Sequence, residues 1–294
     1  MKISMTLPVM ERGLDRARLQ SWVRTVEAGP WHSLAMGERI AFVNPELIAL
    51  LGACAVLTER VQLVTTVVIG PMHDPVWLAK QLATVDVLSG GRLSVGLGIG
   101  GREEDYRAVG ADLSARSNDE LARRARRLRA LWSGEPIGSG IDRALEPRPT
   151  REGGPELLAG ALGPRAIRKA ARWADGLSGF SWRPDPHEIG LAFDRAREAW
   201  RAAERPAPRL SVGFWFAAGD DDPRAQISGH LRRYLSWLPA SFVDSLVPTT
   251  GFAGDGPELR ALLSEIESLG ADEVFLVPTS IDEAQIERVG EWLG

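Results

Sequence analysis

Two glycine-rich turns, four histidines, one cysteine and a few aromatic and basic residues beside short apolar runs are what this sequence offers for chemistry. The run Gly96-Leu97-Gly98-Ile99-Gly100-Gly101 matches G-x-G-x-x-G, and Glu120 follows at the distance of a ribose-binding acid, which taken alone suggests a dinucleotide site. What comes next, Arg102-Glu103-Glu104-Asp105, is a charged rim rather than an apolar helix. The other reading is that the glycines leave room for a flat ring against the backbone. Gly160-Ala161-Leu162-Gly163, with Pro164 opening a helix, is either a phosphate cradle or a tight turn without a ligand. His32, His73, His187 and His230 have no i, i+4 partner and form no H-E-x-x-H, so no metal site is expected. His73, next to Asp74, is the histidine placed for chemistry. Cys54 sits in an apolar run as a small hydrophobe, and no G-x-S-x-G elbow supports nucleophilic hydrolysis. Most of the ten tryptophans read as core, but Trp182 follows a strand where substrate contacts are displayed, and Trp215 lies inside one.

These groups need elements to position them. Residues 2–7, 33–36, 61–69, 92–97, 156–159, 175–179, 210–217 and 273–277 read as strands, and 61–69 is of the type buried on both faces. Helical stretches follow at 14–28, 46–58, 74–89, 118–132, 164–173, 186–203, within 222–246, 257–269 and 282–293. Asn44-Pro45 and Asp74-Pro75 mark helix starts, and Gly90-Gly91 a stop. Strict alternation implies a parallel sheet with helical crossovers. Eight units fit an α/β (β/α)8 TIM barrel with rim-loop insertions, one domain over residues 1–294. In such a barrel the C-terminal mouth of the strands is the catalytic face, and both glycine turns, His73 and Trp182 fall there. Segment 134–155 reads as a long loop, a lid or rim, and 251–256 as a second glycine-rich loop.

Composition narrows the classes. The 294 residues carry a net charge of −4, which offers no footprint for nucleic acid or an anionic membrane. With 44% hydrophobic and 25% charged residues the chain is globular rather than disordered. No apolar run reaches the ~20 residues of a membrane span, and no secretory leader is evident, so a cytoplasmic protein acting on a small molecule is expected.

In combination these residues resemble the bacterial luciferase-like family of flavin- and deazaflavin-dependent oxidoreductases. The resemblance runs through Glu27-Ala28-Gly29, Gly37-Glu38 and Leu57-Thr58-Glu59-Arg60-Val61-Gln62-Leu63. It is densest over Asp74-Pro75-Val76-Trp77-Leu78-Ala79-Lys80-Gln81-Leu82-Ala83-Thr84, Leu88-Ser89-Gly90-Gly91-Arg92-Leu93 and Gly96-Leu97-Gly98-Ile99-Gly100, and continues in Trp132-Ser133-Gly134-Glu135-Pro136 and Ala174-Asp175-Gly176. It implies a cofactor, F420 or FMN, at the barrel mouth. A non-prolyl cis peptide at Thr66-Val67 would meet the ring, with Gly98 and Gly100 close by. Gly160, Ala161, Leu162 and Gly163 would take the phosphate, and Leu7 and Pro8 would flank ring or substrate.

Many relatives follow an acidic residue with histidine after the second strand, for proton transfer. Here the pair is Glu38-Arg39, and arginine, protonated at ordinary pH, is a poor general acid. Glu38 becomes the nearer candidate and His73 the second, while Arg39 suits an anionic substrate, a cofactor tail or a reduced flavin. Arg39, Arg102 and Arg165 together would make a locally basic mouth. The implied activity is F420-dependent hydride transfer to or from a small organic substrate, a tilt that rests on an arginine- and alanine-rich composition common among actinobacterial F420 enzymes. The alternatives are an FMN-dependent monooxygenase using O2, a non-catalytic flavin-binding barrel, and a nicotinamide dehydrogenase built on Gly96–Gly101. A homodimer is implied as well.

Overall fold

The first N–H groups of a helix need acceptors, and this sequence supplies a short polar side chain at most starts. The computed structural model describes residues 1–218 and 222–294. Asp15 caps α1 (Arg16–Ala28), Glu46 caps α2 (Leu47–Leu57), and Asp74 caps α3 (Pro75–Leu88) by accepting from Val76 and Trp77. After the short α4 (Glu103–Ala108), Ser117 caps α5 (Asn118–Trp132). α6 (Pro164–Ala170) starts at Gly163 with no side-chain cap, whereas Asp185 caps α7 (Pro186–Ala202) and Asp222 caps α8 (Pro223–Tyr234). α9 (Ala240–Leu246), α10 (Gly256–Ser268), which opens with an Asp255–Glu258 capping box, and α11 (Ala284–Leu293) complete the helices.

Eight parallel strands close a barrel in the order β1 (Lys2–Thr6), β2 (Ser33–Met36), β3 (Gln62–Ile69), β4 (Leu93–Gly98), β7 (Glu156–Ala159), β8 (Gly176–Phe180), β9 (Arg209–Ala217) and β11 (Glu273–Pro278). Closure comes from β11 pairing with β1 and from β8 pairing with β9, Leu177 opposite Leu210. β5 (Pro136–Gly138) and β6 (Ile141–Ala144) form a separate hairpin, and β10 (Phe252–Ala253) adds to the outer end of β9. The chain is thus the (β/α)8 barrel that the alternation of apolar runs predicts.

Apolar side chains such as Trp22, Leu51, Leu82, Leu128, Trp200 and Ile266 pack between the strands and the helical ring. Ala35, Val64 and Phe275 fill the barrel interior. Below them a polar layer closes the N-terminal end. The fully buried Glu273 accepts from Ser33 at 2.6 Å and from Ser4 and Arg209, and Glu156 binds Arg209 from its other side. A buried carboxylate without such partners would cost several kcal/mol.

Polar residues within the stretches that carry the family resemblance hold loops. The Glu27 carboxylate accepts from the N–H groups of Glu59, Arg60 and Val61 at 3.0, 2.6 and 3.2 Å. Arg60 donates to the carbonyls of Trp31 and Gly29, and Arg92 to those of Thr58 and Ser89.

Two expectations change. The charged stretch after Gly101 is a helix, α4, because Asp105 and Tyr106 turn inward: Tyr106 donates to the Ile99 carbonyl at 2.8 Å, and Asp105 accepts from Ile40 and Ala41. Segment 134–155 is no lid over the mouth. It joins the end of α5 to the start of β7, so it lies at the N-terminal face, where Asp86 accepts from the Thr150 N–H and Arg151 donates to the Gly91 carbonyl. No described helix is long and apolar enough to cross a membrane.

Candidate active site at the barrel mouth

β3 loses its regular pairing with β4 between Thr65 and Val68, and Thr66 and Val67 bulge toward the mouth with a cis peptide bond between them. Neighbouring glycines accept the bulge. A Cβ on Gly98 would lie 2.6 Å from Val67 Cγ2, and one on Gly160 would lie 2.9 Å from Val67 Cγ1. The glycines of the G-x-G run therefore make room first for a valine, and the valine presents itself to whatever occupies the mouth.

The bulge is also held from β2. The Glu38 N–H donates to the Val67 carbonyl at 3.1 Å, and the Glu38 carboxylate accepts from the Ile69 N–H at 2.6 Å. His73 Nε2 lies 2.8 Å from Glu38 Oε1. The two residues proposed for acid/base work thus form one pair, the Glu38 side chain buried and His73 partly exposed, reached from the end of β2 and from the turn after β3.

A cleft of about 380 Å³ opens here, lined on one side by Gly37, Glu38, Thr66, Val67, Gly100 and Gly160 and on the other by Phe180, Trp182, Trp215, Tyr234 and Trp237. Trp215, whose direction the strand pattern alone left open, is the hub of the aromatic wall. Its ring meets Phe180, Trp182 and Tyr234 edge-on at 4.7, 5.6 and 5.7 Å. Arg39 is 4% exposed, lies 3.9 Å over the Phe42 ring, and donates to the Tyr234 carbonyl at 3.0 Å. Burial, and then the Arg102 charge, push its guanidinium down to about 10.

Nine buried side-chain polar atoms lack a hydrogen-bond partner among the described residues, and five belong to residues that line this cleft: Thr6 Oγ1, Arg39 Nε, Asn44 Oδ1, Arg102 Nε and Trp215 Nε1. Buried polar atoms are normally satisfied, so their concentration in one cleft marks a place built for a polar organic ligand.

Of the sequence-predicted residues, Glu38, Arg39, Thr66, Val67, Gly100, Gly160, Leu162 and Trp182 line the cleft. His73 stands behind Glu38, and Gly98 lies beneath Val67. Leu7 and Pro8 are buried outside the lining, and their neighbours Thr6, Val9 and Met10 take that place. Ala161 and Gly163 are off the lining, and Arg165 is exposed. Glu120 is bound by Arg123 and Arg124 on α5, its carboxyl drawn down to about 2 chiefly by Arg123, and the G-x-G run ends the fourth barrel strand rather than opening a dinucleotide fold. Tyr234, Trp237 and Asn44 were missed because apolar or polar spacing on a helix or loop carries no sign that the residue faces a cleft.

The profile of the luciferase-like monooxygenase family matches residues 9–275. An uncharacterized protein of Mycobacterium tuberculosis, Rv0953c, is 32% identical over 164 residues, covering 53% of this chain and 56% of the relative. The FMNH(2)-dependent dimethylsulfone monooxygenase of Pseudomonas putida is 29% identical over 191 residues, 62% of this chain and 51% of that protein. The matched stretch thus spans about half the length of these curated relatives. Among solved structures, an F420-dependent secondary alcohol dehydrogenase superposes with a TM-score of 0.79 at 16% identity, covering 99% of this chain and 98% of the other. Its likeness shows the shared barrel. With a profile match over most of its length, this chain belongs to the luciferase-like monooxygenase family.

Proposed function

We propose that this protein is a redox enzyme that seats a flavin-type ring at the barrel mouth and exchanges hydride with a small organic substrate, with F420 as the cofactor. The observation that carries this reading is the cluster of five unpartnered buried polar atoms around one largely apolar cleft, beside the Val67 bulge. When bound, F420 supplies a carbon that gives or takes hydride, and reduced FMN would instead supply a centre that reacts with O2. The second reading, an FMN-dependent monooxygenase, is favoured by the similarity to the Pseudomonas putida enzyme.

The chain's own residues have separable tasks. Val67, Gly100 and Gly160 form the surface against which the ring would lie, and Gly160 and Leu162 lead toward the uncapped start of α6. The aromatic wall excludes water from the substrate side. Glu38, the one carboxylate among the described residues of the cleft lining, holds or takes a proton and passes it to or from His73 Nε2. Arg39 keeps its charge and binds.

Titrating the full chain separately with F420 and FMN, followed by the absorbance of each ring, tests this. F420 binding with turnover of a reducible or oxidisable substrate is the expected result. Glu38→Gln keeps an oxygen that can accept from the Ile69 N–H, so it should bind F420 as wild type does while kcat falls by about 10²-fold. Absence of binding to both cofactors would sink the proposal, and binding of FMN alone would transfer it to the monooxygenase reading.

A further inference from the structure

Two guanidinium groups, Arg39 and Arg102, meet at the lining of the cleft, and each keeps a buried Nε–H without a partner among the described residues. Arg39 and Arg102 both stack on the Tyr234 ring, at 5.0 and 4.7 Å from its centroid, and Arg102 also lies 5.4 Å from that of Trp237. Their side chains come from the ends of different strands, β2 and β4, so two like charges are brought together by the closed barrel. Asp105, its side chain 1% exposed, spends Oδ1 on the Ile40 and Ala41 N–H groups and keeps Oδ2 3.9 Å from Arg102, too far for a hydrogen bond. Glu38 is taken up by His73 and the Ile69 N–H. Among the described residues the Nε–H of each guanidinium therefore lacks an acceptor. Desolvated charges and donors of this kind are costly unless a ligand completes them.

The geometry points to a substrate that carries one carboxylate on a small aromatic or apolar body, the carboxylate received by Arg39 and Arg102 and the body lying on Trp182 and Trp215. This rests on the redox reading above and names the substrate class for the same site. A carboxylate matches the two unpartnered Nε–H donors and the fork geometry of guanidinium groups. The pair serves substrate rather than a cofactor tail because Arg39 follows Glu38 directly, and Glu38 grips the Val67 bulge through the bond from its N–H to the Val67 carbonyl at 3.1 Å. The arginines are therefore beside the Val67 bulge, where the reacting end of a bound ring would lie. Arg165 and the Gly160–Gly163 turn lie after β7, a different part of the mouth.

Tryptophan emission reads the site directly, since Trp182, Trp215 and Trp237 line it. Titration of the full chain with benzoate and with its neutral isostere benzamide should show benzoate binding at least about tenfold tighter at low salt. Arg102→Gln and Arg39→Gln should each weaken benzoate by about tenfold, leave benzamide within about twofold, and leave the affinities for F420 and FMN within about twofold. Equal binding of benzoate and benzamide to wild type overturns the inference. Loss of cofactor affinity in Arg102→Gln with benzoate binding kept overturns it too, and gives the pair to the cofactor's anionic tail. If Arg39→Gln does not fold, the wild-type ratio and Arg102→Gln decide alone. Wild type that binds neither cofactor sinks the redox reading instead, and the benzoate ratio is read independently of that.

Discussion

His230 sits behind the aromatic wall with no solvent exposure, its Nδ1 2.6 Å from Glu11 Oε1 and its ring stacked on Tyr234 at 5.5 Å. Burial lowers its pKa below the ordinary 6.5, with the Glu11 contact opposing and the Arg233 charge adding a smaller lowering effect. A base whose pKa is depressed by folding binds fewer protons in the folded chain than in the unfolded one. Stability contributed by the neutral ring is therefore complete above about pH 6.5 and is lost as pH falls below it. Melting temperatures measured from pH 7.5 to 5 should fall for wild type, by at most about 1.4 kcal/mol of stability per pH unit from this residue, and fall less steeply for His230→Gln. Parallel curves for the two proteins would show that His230 does not carry the effect. Arg39 illustrates the same scale differently. Beside Glu38, its residue type alone says that it stays charged and binds, and only its surroundings say what is missing around it.

Among the elements, β3 decides the shape of the mouth. A regular strand would continue from Thr65 to Val68 in register, and the two-residue bulge instead throws Val67 across Gly98 and Gly160. The fit is tight enough to test. Gly98→Ala should cost about 1–3 kcal/mol of stability by overpacking, since its Cβ would stand 2.6 Å from Val67 Cγ2. Val67→Ala removes the methyl it strikes, so the double variant should be more stable than the sum of the single losses predicts, with a coupling of about 1 kcal/mol or more. Additive losses in thermal unfolding would mean that the glycine is kept for another reason. The G-x-G spacing was legible in the sequence, but its purpose was not, because nothing in residues 96–101 shows that a side chain from the neighbouring strand occupies the space.

The whole molecule separates its two ends. Strand beginnings carry the polar layer of Glu273, Arg209 and Glu156 and the loop pins of Glu27, Arg60 and Arg92, and strand ends carry the cleft. The β5–β6 hairpin belongs to the first end. Replacing residues 137–143 by a short glycine-serine turn should leave cofactor affinity within about twofold while lowering the melting temperature by a few degrees. A tenfold loss of cofactor affinity in that variant would place the hairpin over the mouth after all. Directionality explains the correction: a connection from a helix end to a strand start in a parallel barrel returns to the N-terminal face, whatever its length.

What the sequence by itself determined is local or repetitive. Alternating apolar runs, acidic and serine caps, proline at first helical turns and glycine stops are set by neighbours within a few residues, and eight such units leave a closed barrel as the arrangement that buries them. The family landmarks are legible for the same reason, as runs of adjacent residues. Only the tertiary structure decided the contacts that make the site. Arg39 meets the Tyr234 carbonyl across 195 residues, and His230 meets Glu11 across 219. Tyr234 reaches the mouth by standing at the end of a helix inserted after β9. Barrel closure brings these groups together, and which guanidinium donors are left unpartnered there depends on where every side chain of the mouth comes to rest.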